Sequence, residues 1–152
     1  MIMKPLKVGE KVSSFTVKDH LGNSHSLENY KGSKVVIFFY PKANTPGCTA
    51  EACDLRDHYK ELKDAGYVLL GVSADTEKKQ KAFVDKFDLP FPLLADTEKD
   101  LINAFGVWGP KKFMGKEYEG INRMTFVLDE TGIIERVIEK VKTKEHAAQI
   151  LE

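Results

Sequence analysis

The sequence carries no excess of charge of either sign and few sulfur nucleophiles. Its 152 residues include 23 Lys plus Arg, 23 Asp plus Glu, and two cysteines. A chain without net positive charge lacks the field that draws proteins to nucleic acid or anionic lipid, so we expect neither as a partner. A small and roughly neutral substrate suits this balance better.

The sequence also lacks an apolar segment long enough to anchor it in a membrane. The longest apolar run, residues 35–41, is far shorter than the roughly 20 residues that span a bilayer. The first ten residues lack the apolar core of a signal peptide. We therefore expect a soluble, cytoplasmic protein, where cysteines are more often reduced, redox-active thiols than permanent disulfides.

The order of the predicted elements indicates an α/β protein with one domain over residues 1–152. Apolar runs predict strands over 35–40, 67–73, 91–95, 124–129 and 133–138. Apolar residues spaced three and four apart predict one helix between Gly47 and Gly66, and others over 76–87, 98–105 and 143–151. A weak alternation around a Gly-Asn turn predicts a hairpin over 14–26 that covers a sheet edge. Together these elements predict a central mixed β-sheet flanked by helices, with an N-terminal β-hairpin.

Residues 106–122 are rich in glycine and aromatic residues and are predicted to form a long loop. Four side chains are expected to pin this loop to the sheet rather than to line a substrate rim: Trp108, Phe113, Met114 and Tyr118. Three histidines are expected at the surface: His20, His25 and His146.

Cys48 stands where a predicted buried strand gives way to a predicted helix. The unpaired backbone N–H groups and the positive end of the helix dipole stabilise a negative sulfur there, which raises the fraction of the reactive thiolate. Cys48 is therefore a candidate nucleophile on physical grounds.

Cys53 follows five residues later. In one ideal helix the two Cα atoms would be about 8.7 Å apart, whereas a disulfide needs less than roughly 7 Å. The pair cannot bridge unless the first turn of the helix unwinds. This spacing suits a thiol pair that cycles between two shapes better than a permanent crosslink.

The residues around Cys48 resemble a known active-site signature. Pro41-x-x-x-Thr45-x-x-Cys48 is similar to the signature of the peroxiredoxins, and the string from Tyr40 to Cys53 resembles their bacterioferritin comigratory, or PrxQ, branch. Gly106-Val-Trp-Gly109 and residues 120–127 extend the likeness over nearly the whole chain.

The resemblance implies a thioredoxin-like fold and a thiol peroxidase that reduces hydrogen peroxide and organic hydroperoxides without a cofactor or metal. Cys48 would be the peroxidatic cysteine and become sulfenic acid. Thr45 would hydrogen-bond the thiolate and the peroxide, and Pro41 would shield the sulfur from water. Arg123 would stabilise the thiolate and polarise the peroxide with its guanidinium donors.

The resemblance further implies that Cys53 condenses with the sulfenic acid to form an intramolecular disulfide, which thioredoxin then reduces. It also implies a monomer. A third cysteine near the C-terminus, which intersubunit resolution would require, is absent from the sequence.

Three other interpretations remain open. A thioredoxin-like disulfide oxidoreductase normally uses a Cys-x-x-Cys pair, whereas four residues separate the two cysteines here. A redox-regulated chaperone or thiol sensor would expose apolar surface when the helix after Cys48 melts. A metal site could recruit Cys48, Cys53 and His58, but their spacing matches no zinc knuckle.

Overall fold

The computed structural model describes residues 3–152, except for the side chain of Phe113. The strands are β1 Thr16–Lys18, β2 Ser24–Ser26, β3 Lys34–Phe39, β4 Tyr67–Ser73, β5 Leu93–Ala95, β6 Trp108–Phe113, β7 Lys116–Ile121, β8 Met124–Leu128 and β9 Ile134–Ile138. The helices are α1 Pro46–Asp57, α2 Tyr59–Asp64, α3 Glu77–Phe87, α4 Asp100–Phe105 and α5 His146–Leu151, and a 3-10 helix spans Leu27–Tyr30.

A five-stranded sheet in the order β5-β4-β3-β8-β9 forms the centre of the structure. β3, β4 and β5 are parallel neighbours, and each connection between them contains helix, the usual form of the long crossover that parallel pairing requires. β8 runs antiparallel to both β3 and β9. The predicted central mixed sheet is confirmed.

Side chains of β3 alternate between the two faces of this sheet, so the strand is buried on both sides. Val35, Ile37 and Phe39 pack in one core with residues of α4, including Leu101 and Phe105. The opposite core joins β3 to α1, α2, α3 and α5: Val36, Phe38, Ala52, Leu55, Leu62, Phe83 and Ile150. Helices therefore cover both faces, as predicted.

The N-terminal hairpin of β1 and β2 lies beside β5, the strand at one edge of the sheet. Asp19 forms an isolated antiparallel bridge with Leu94 of β5. The prediction that this hairpin covers a sheet edge is confirmed.

The prediction of a long loop over residues 106–122 is wrong, because β6 and β7 form a hairpin there. Its two-residue turn, Met114-Gly115, has positive φ at both positions, which defines a tight hairpin turn. Methionine is an unusual residue for that conformation, so the sequence carried a weak turn signal. Met114 and Tyr118 are 87% and 48% exposed and do not pin the hairpin, whereas Trp108 packs on the core. The prediction for the side chain of Phe113 lies outside what the structure describes.

Two further predictions need correction. The single helix predicted before Gly66 is interrupted at His58, where φ is −112° and ψ is 15°, so α1 and α2 are separate. His146 is fully buried rather than exposed, and His20 and His25 are partly buried. The partial burial of His25 goes with its contact with Asp19 in the turn of the hairpin, where Nε2 of His25 lies 2.6 Å from Oδ2 of Asp19.

Candidate active site

Cys48 is the third residue of α1, directly after the loop that leaves β3. Thr45 is the N-cap residue and Pro46 the first helical residue, which suits a ring with a fixed φ and no N–H to donate. Cys48 is 2% exposed and its thiol is free. The structure thus places this cysteine at the junction of a buried strand and a helix start, as predicted.

Arg123 brings its guanidinium to this sulfur from another part of the chain. It directly precedes β8, whose first residue, Met124, pairs with Phe39 at the end of β3. Nη2 of Arg123 donates to Sγ of Cys48 over 3.3 Å. Gly47 leaves room for this approach, since a Cβ there would lie 3.1 Å from Nη2.

Glu51 holds the other side of the guanidinium. It lies one turn after Cys48 on the same side of α1, and its Oε1 accepts a hydrogen bond of 2.6 Å from Nη1 of Arg123. Burial raises the pKa of Glu51 to about 7, although Arg123 opposes the shift. Burial alone would lower the pKa of Arg123, but Glu51 and Cys48 outweigh it and raise that pKa.

A second buried side chain, His146 of α5, lies next to the carboxyl oxygen of Glu51 that does not bind Arg123. Its Nε2 lies 3.5 Å from Oε2 of Glu51 and 2.7 Å from the hydroxyl of Thr125. Burial lowers the pKa of His146, while Gln149 and Asp54 oppose the shift. Sequence reasoning missed the contributions of Glu51 and His146 because neither carries a motif that reveals its burial.

Thr45 and Pro41 lie in the loop between β3 and α1 and are partly buried. The hydroxyl of Thr45 donates to the carbonyl of Lys42 at 2.8 Å, so its proton is directed at its own turn rather than at the sulfur. Its lone pairs remain able to accept a hydrogen bond from an entering O–H group. The roles expected for these two residues stay predictions.

Cys53 is a free, partly exposed thiol in the same helix as Cys48. Because α1 runs without a break from Pro46 to Asp57, the helical separation of about 8.7 Å between the two Cα atoms applies. A disulfide between the two cysteines requires α1 to unwind.

Residues 3–152 contain no group of three or more His, Cys, Asp or Glu side chains placed to hold a metal ion. Within the same residues, no helix has the length and apolar character needed to cross a membrane.

Comparison with known proteins gives consistent matches. The model of the AhpC/TSA family matches residues 8–137. Peroxiredoxin Bcp of Escherichia coli (strain K12) is 45% identical over 149 residues, which cover 98% of this chain and 96% of that protein.

Two solved structures from Xanthomonas campestris share the fold. Peroxiredoxin Q has a TM-score of 0.84 and 37% identity, over 90% of this chain and 87% of that chain. The bacterioferritin comigratory protein, studied for its alkyl peroxide reduction activity, has a TM-score of 0.84 and 36% identity over the same shares of the two chains.

Fold and site together define a thioredoxin-like protein with a thiol active centre. The chain belongs to the AhpC/TSA family, and within it to the peroxiredoxins of the bacterioferritin comigratory, or PrxQ, branch. It is a thiol peroxidase, and the predicted family and fold are confirmed.

The buried carboxyl of Glu51 should make stability depend on pH. The folded protein holds a proton up to a pKa of about 7, whereas the unfolded chain releases it near 4.5. The native state therefore loses stability as pH rises between these values. We expect the free energy of unfolding, measured in urea and compared with Glu51→Gln, to fall by on the order of 3 kcal/mol across this window.

The matched control is Glu61→Gln, which changes an exposed glutamate of α2 that stays hydrated in both states. A parallel pH dependence for the unchanged protein and Glu51→Gln would contradict the assignment of this proton to Glu51.

Proposed function

We propose that the thiolate of Cys48 attacks the O–O bond of the peroxide and that Arg123 stabilises both the thiolate and the transition state. The observation that supports this most directly is the bond of 3.3 Å between Nη2 of Arg123 and Sγ of Cys48. The sulfur takes the terminal OH and becomes sulfenic acid, while the O–O electron pair leaves with the alkoxide or hydroxide, which is protonated to an alcohol or water. The fixed guanidinium donors suit the charge that develops on these oxygens.

The position of Cys48 in the first turn of α1 supports the same proposal. Backbone N–H groups there lack helical partners and favour a negative sulfur. In this proposal, Pro41 shields the sulfur from water and the Thr45 oxygen accepts a hydrogen bond from the peroxide O–H.

Cys53 is the proposed resolving residue. Its thiol condenses with the Cys48 sulfenic acid, which forms a disulfide and releases water. The separation of the cysteines along α1 means that the helix unwinds before this step. A dithiol protein of the thioredoxin class then reduces the disulfide by exchange and returns both thiols.

The substrates proposed are hydrogen peroxide and organic hydroperoxides. The alkyl peroxide reduction described for the related Xanthomonas campestris protein supports the second class. A monomeric state and a cytoplasmic location are part of the same proposal.

Replacing the two cysteines separates their roles. Cys48→Ser should abolish peroxide reduction because the attacking atom is gone. Cys53→Ser should complete one round of oxidation and then stall at the sulfenic acid with thioredoxin as reductant. Peroxide loss under single-turnover conditions and peptide mass spectrometry distinguish the two. Undiminished steady turnover by Cys53→Ser would contradict the resolving role.

Replacing Arg123 by Met should slow the attack on peroxide by about 10²- to 10³-fold, the size of effect that follows from losing one donor positioned for the transition state. The measurement is the second-order rate constant for oxidation of Cys48 in stopped flow. Arg56→Met is the matched control, since Arg56 lies on α1 and binds Asp57 and the carbonyl of Phe87. A near-normal rate in Arg123→Met would remove Arg123 from the proposed mechanism.

A further inference from the structure

A buried polar cluster behind Arg123 is not used by the mechanism so far. Glu51, His146 and Thr125 are each fully buried, and they come from α1, α5 and β8. α5 is also tied to α1 by the amide of Ala147, which donates to Oδ2 of Asp54 at 2.8 Å. Burying a carboxyl beside an imidazole is costly unless each polar atom has a partner.

The hydrogen bonds of Gln149 fix the protonation of one imidazole nitrogen. The amide N–H of Lys142 donates to Oε1 of Gln149, and Nε2 of Gln149 donates to the carbonyl of Lys140, each at 2.9 Å. The atom of Gln149 that faces His146 is therefore an oxygen, which accepts only. Since it lies 2.9 Å from Nδ1 of His146, that nitrogen carries a proton.

The other imidazole nitrogen then faces a carboxylate oxygen. If His146 is neutral and Glu51 ionised, Nε2 and Oε2 are both acceptors at 3.5 Å, and Oε2 has no hydrogen-bond partner among the described residues. One added proton, on the carboxyl or on the imidazole, makes the pair neutral overall. The hydroxyl of Thr125, 2.7 Å from Nε2, can donate or accept and so accommodates either position.

Burial of the pair favours keeping that proton, whereas the charge of Arg123 opposes it. Burial raises the pKa of Glu51 and lowers that of His146, so the neutral carboxyl beside the neutral imidazole is the preferred form. The charged side chains that act on the pair are Arg123 and Asp54. Cys48 and Lys111 act in turn on Arg123.

We propose that Glu51 and His146 share one buried proton next to Arg123, and that His146 is a positioning residue that keeps the positive charge of Arg123 available to Cys48. With the proton present, the pair is neutral and the guanidinium balances the thiolate alone. When the proton is lost, Glu51 competes for Arg123, and the added negative charge opposes the thiolate and the charge that develops on peroxide. This inference rests on the proposed roles of Cys48 and Arg123, and the shared proton is not consumed in the reaction.

The first test is the pH dependence of the second-order rate constant for Cys48 oxidation by hydrogen peroxide, from roughly pH 5 to pH 9. The rate of the unchanged protein should fall on the order of tenfold as the pair loses its proton, in the region of pH 7. Glu51→Gln has no proton to lose at this position and can still accept from Arg123, so its rate constant should show no fall over this pH range.

His146→Gln should shift this fall rather than remove it. The terminal amide stands near the place of Nε2 and can donate to Oε2 of Glu51, but it cannot take up a proton. Donation to the carboxylate favours its charged form, so the fall should move to lower pH by about one unit. His58→Gln is the matched control, because His58 binds the carbonyl of Asp54 away from the sulfur, and it should leave the profile unchanged.

A second readout does not depend on activity. The nitrogen-15 shifts of His146 should show Nδ1 protonated throughout and Nε2 responding near pH 7, and Glu51→Gln should abolish that response. An equal fall in rate for Glu51→Gln and the unchanged protein would overturn the inference. So would a pH response of the Nε2 shift that is the same in both proteins. Failure of the proposed function would look different: sulfenic acid would not form on Cys48 even near pH 6.

Discussion

The guanidinium of Arg123 lies between the sulfur of Cys48 at 3.3 Å and the carboxyl oxygen of Glu51 at 2.6 Å. This arrangement needs three parts of the fold at once. The pairing of β8 with β3 brings the arginine to the end of the sheet. α1 presents the sulfur and the carboxyl one turn apart on one side, and Gly47 leaves the space between them and the incoming side chain. A partly buried positive charge acts more strongly on both neighbours than a fully hydrated one.

In the proposed mechanism, the same helix has to satisfy two opposing demands. It must be folded while Cys48 attacks, because its first turn and Glu51 build the site. It must be unwound when Cys53 reaches the sulfenic acid. A helix of 12 residues has little stability of its own and depends on packing, here of Ala52 and Leu55 against the sheet and on contacts with α5. Local opening of such an element costs less than global unfolding.

Local patterns were sufficient to predict the central sheet and the place of Cys48, since a buried strand followed by a loop and an amphipathic segment has few alternatives. Arg123 was found only through the resemblance, because a single arginine before a strand has no distinctive pattern. Glu51 and His146 could not be predicted: a glutamate in a helix and a histidine near the C-terminus are usually exposed. Their burial follows from the docking of α5 on α1, which involves residues far apart in the sequence.

The β6–β7 hairpin also could not be predicted from local sequence patterns. Its strand residues Lys116–Glu119 are exposed, so burial imposes no alternation of apolar and polar residues on them.

The proposed mechanism requires that α1 is intact in the reduced protein and unwound in the oxidised one. Hydrogen exchange measured by mass spectrometry, before and after one equivalent of hydrogen peroxide, tests this most directly. We predict that amides of α1 between Cys48 and Cys53 lose their protection when the Cys48–Cys53 disulfide forms, while those of β3 and β4 keep theirs. A disulfide that forms while the protection of α1 stays unchanged would show that the helix does not unwind.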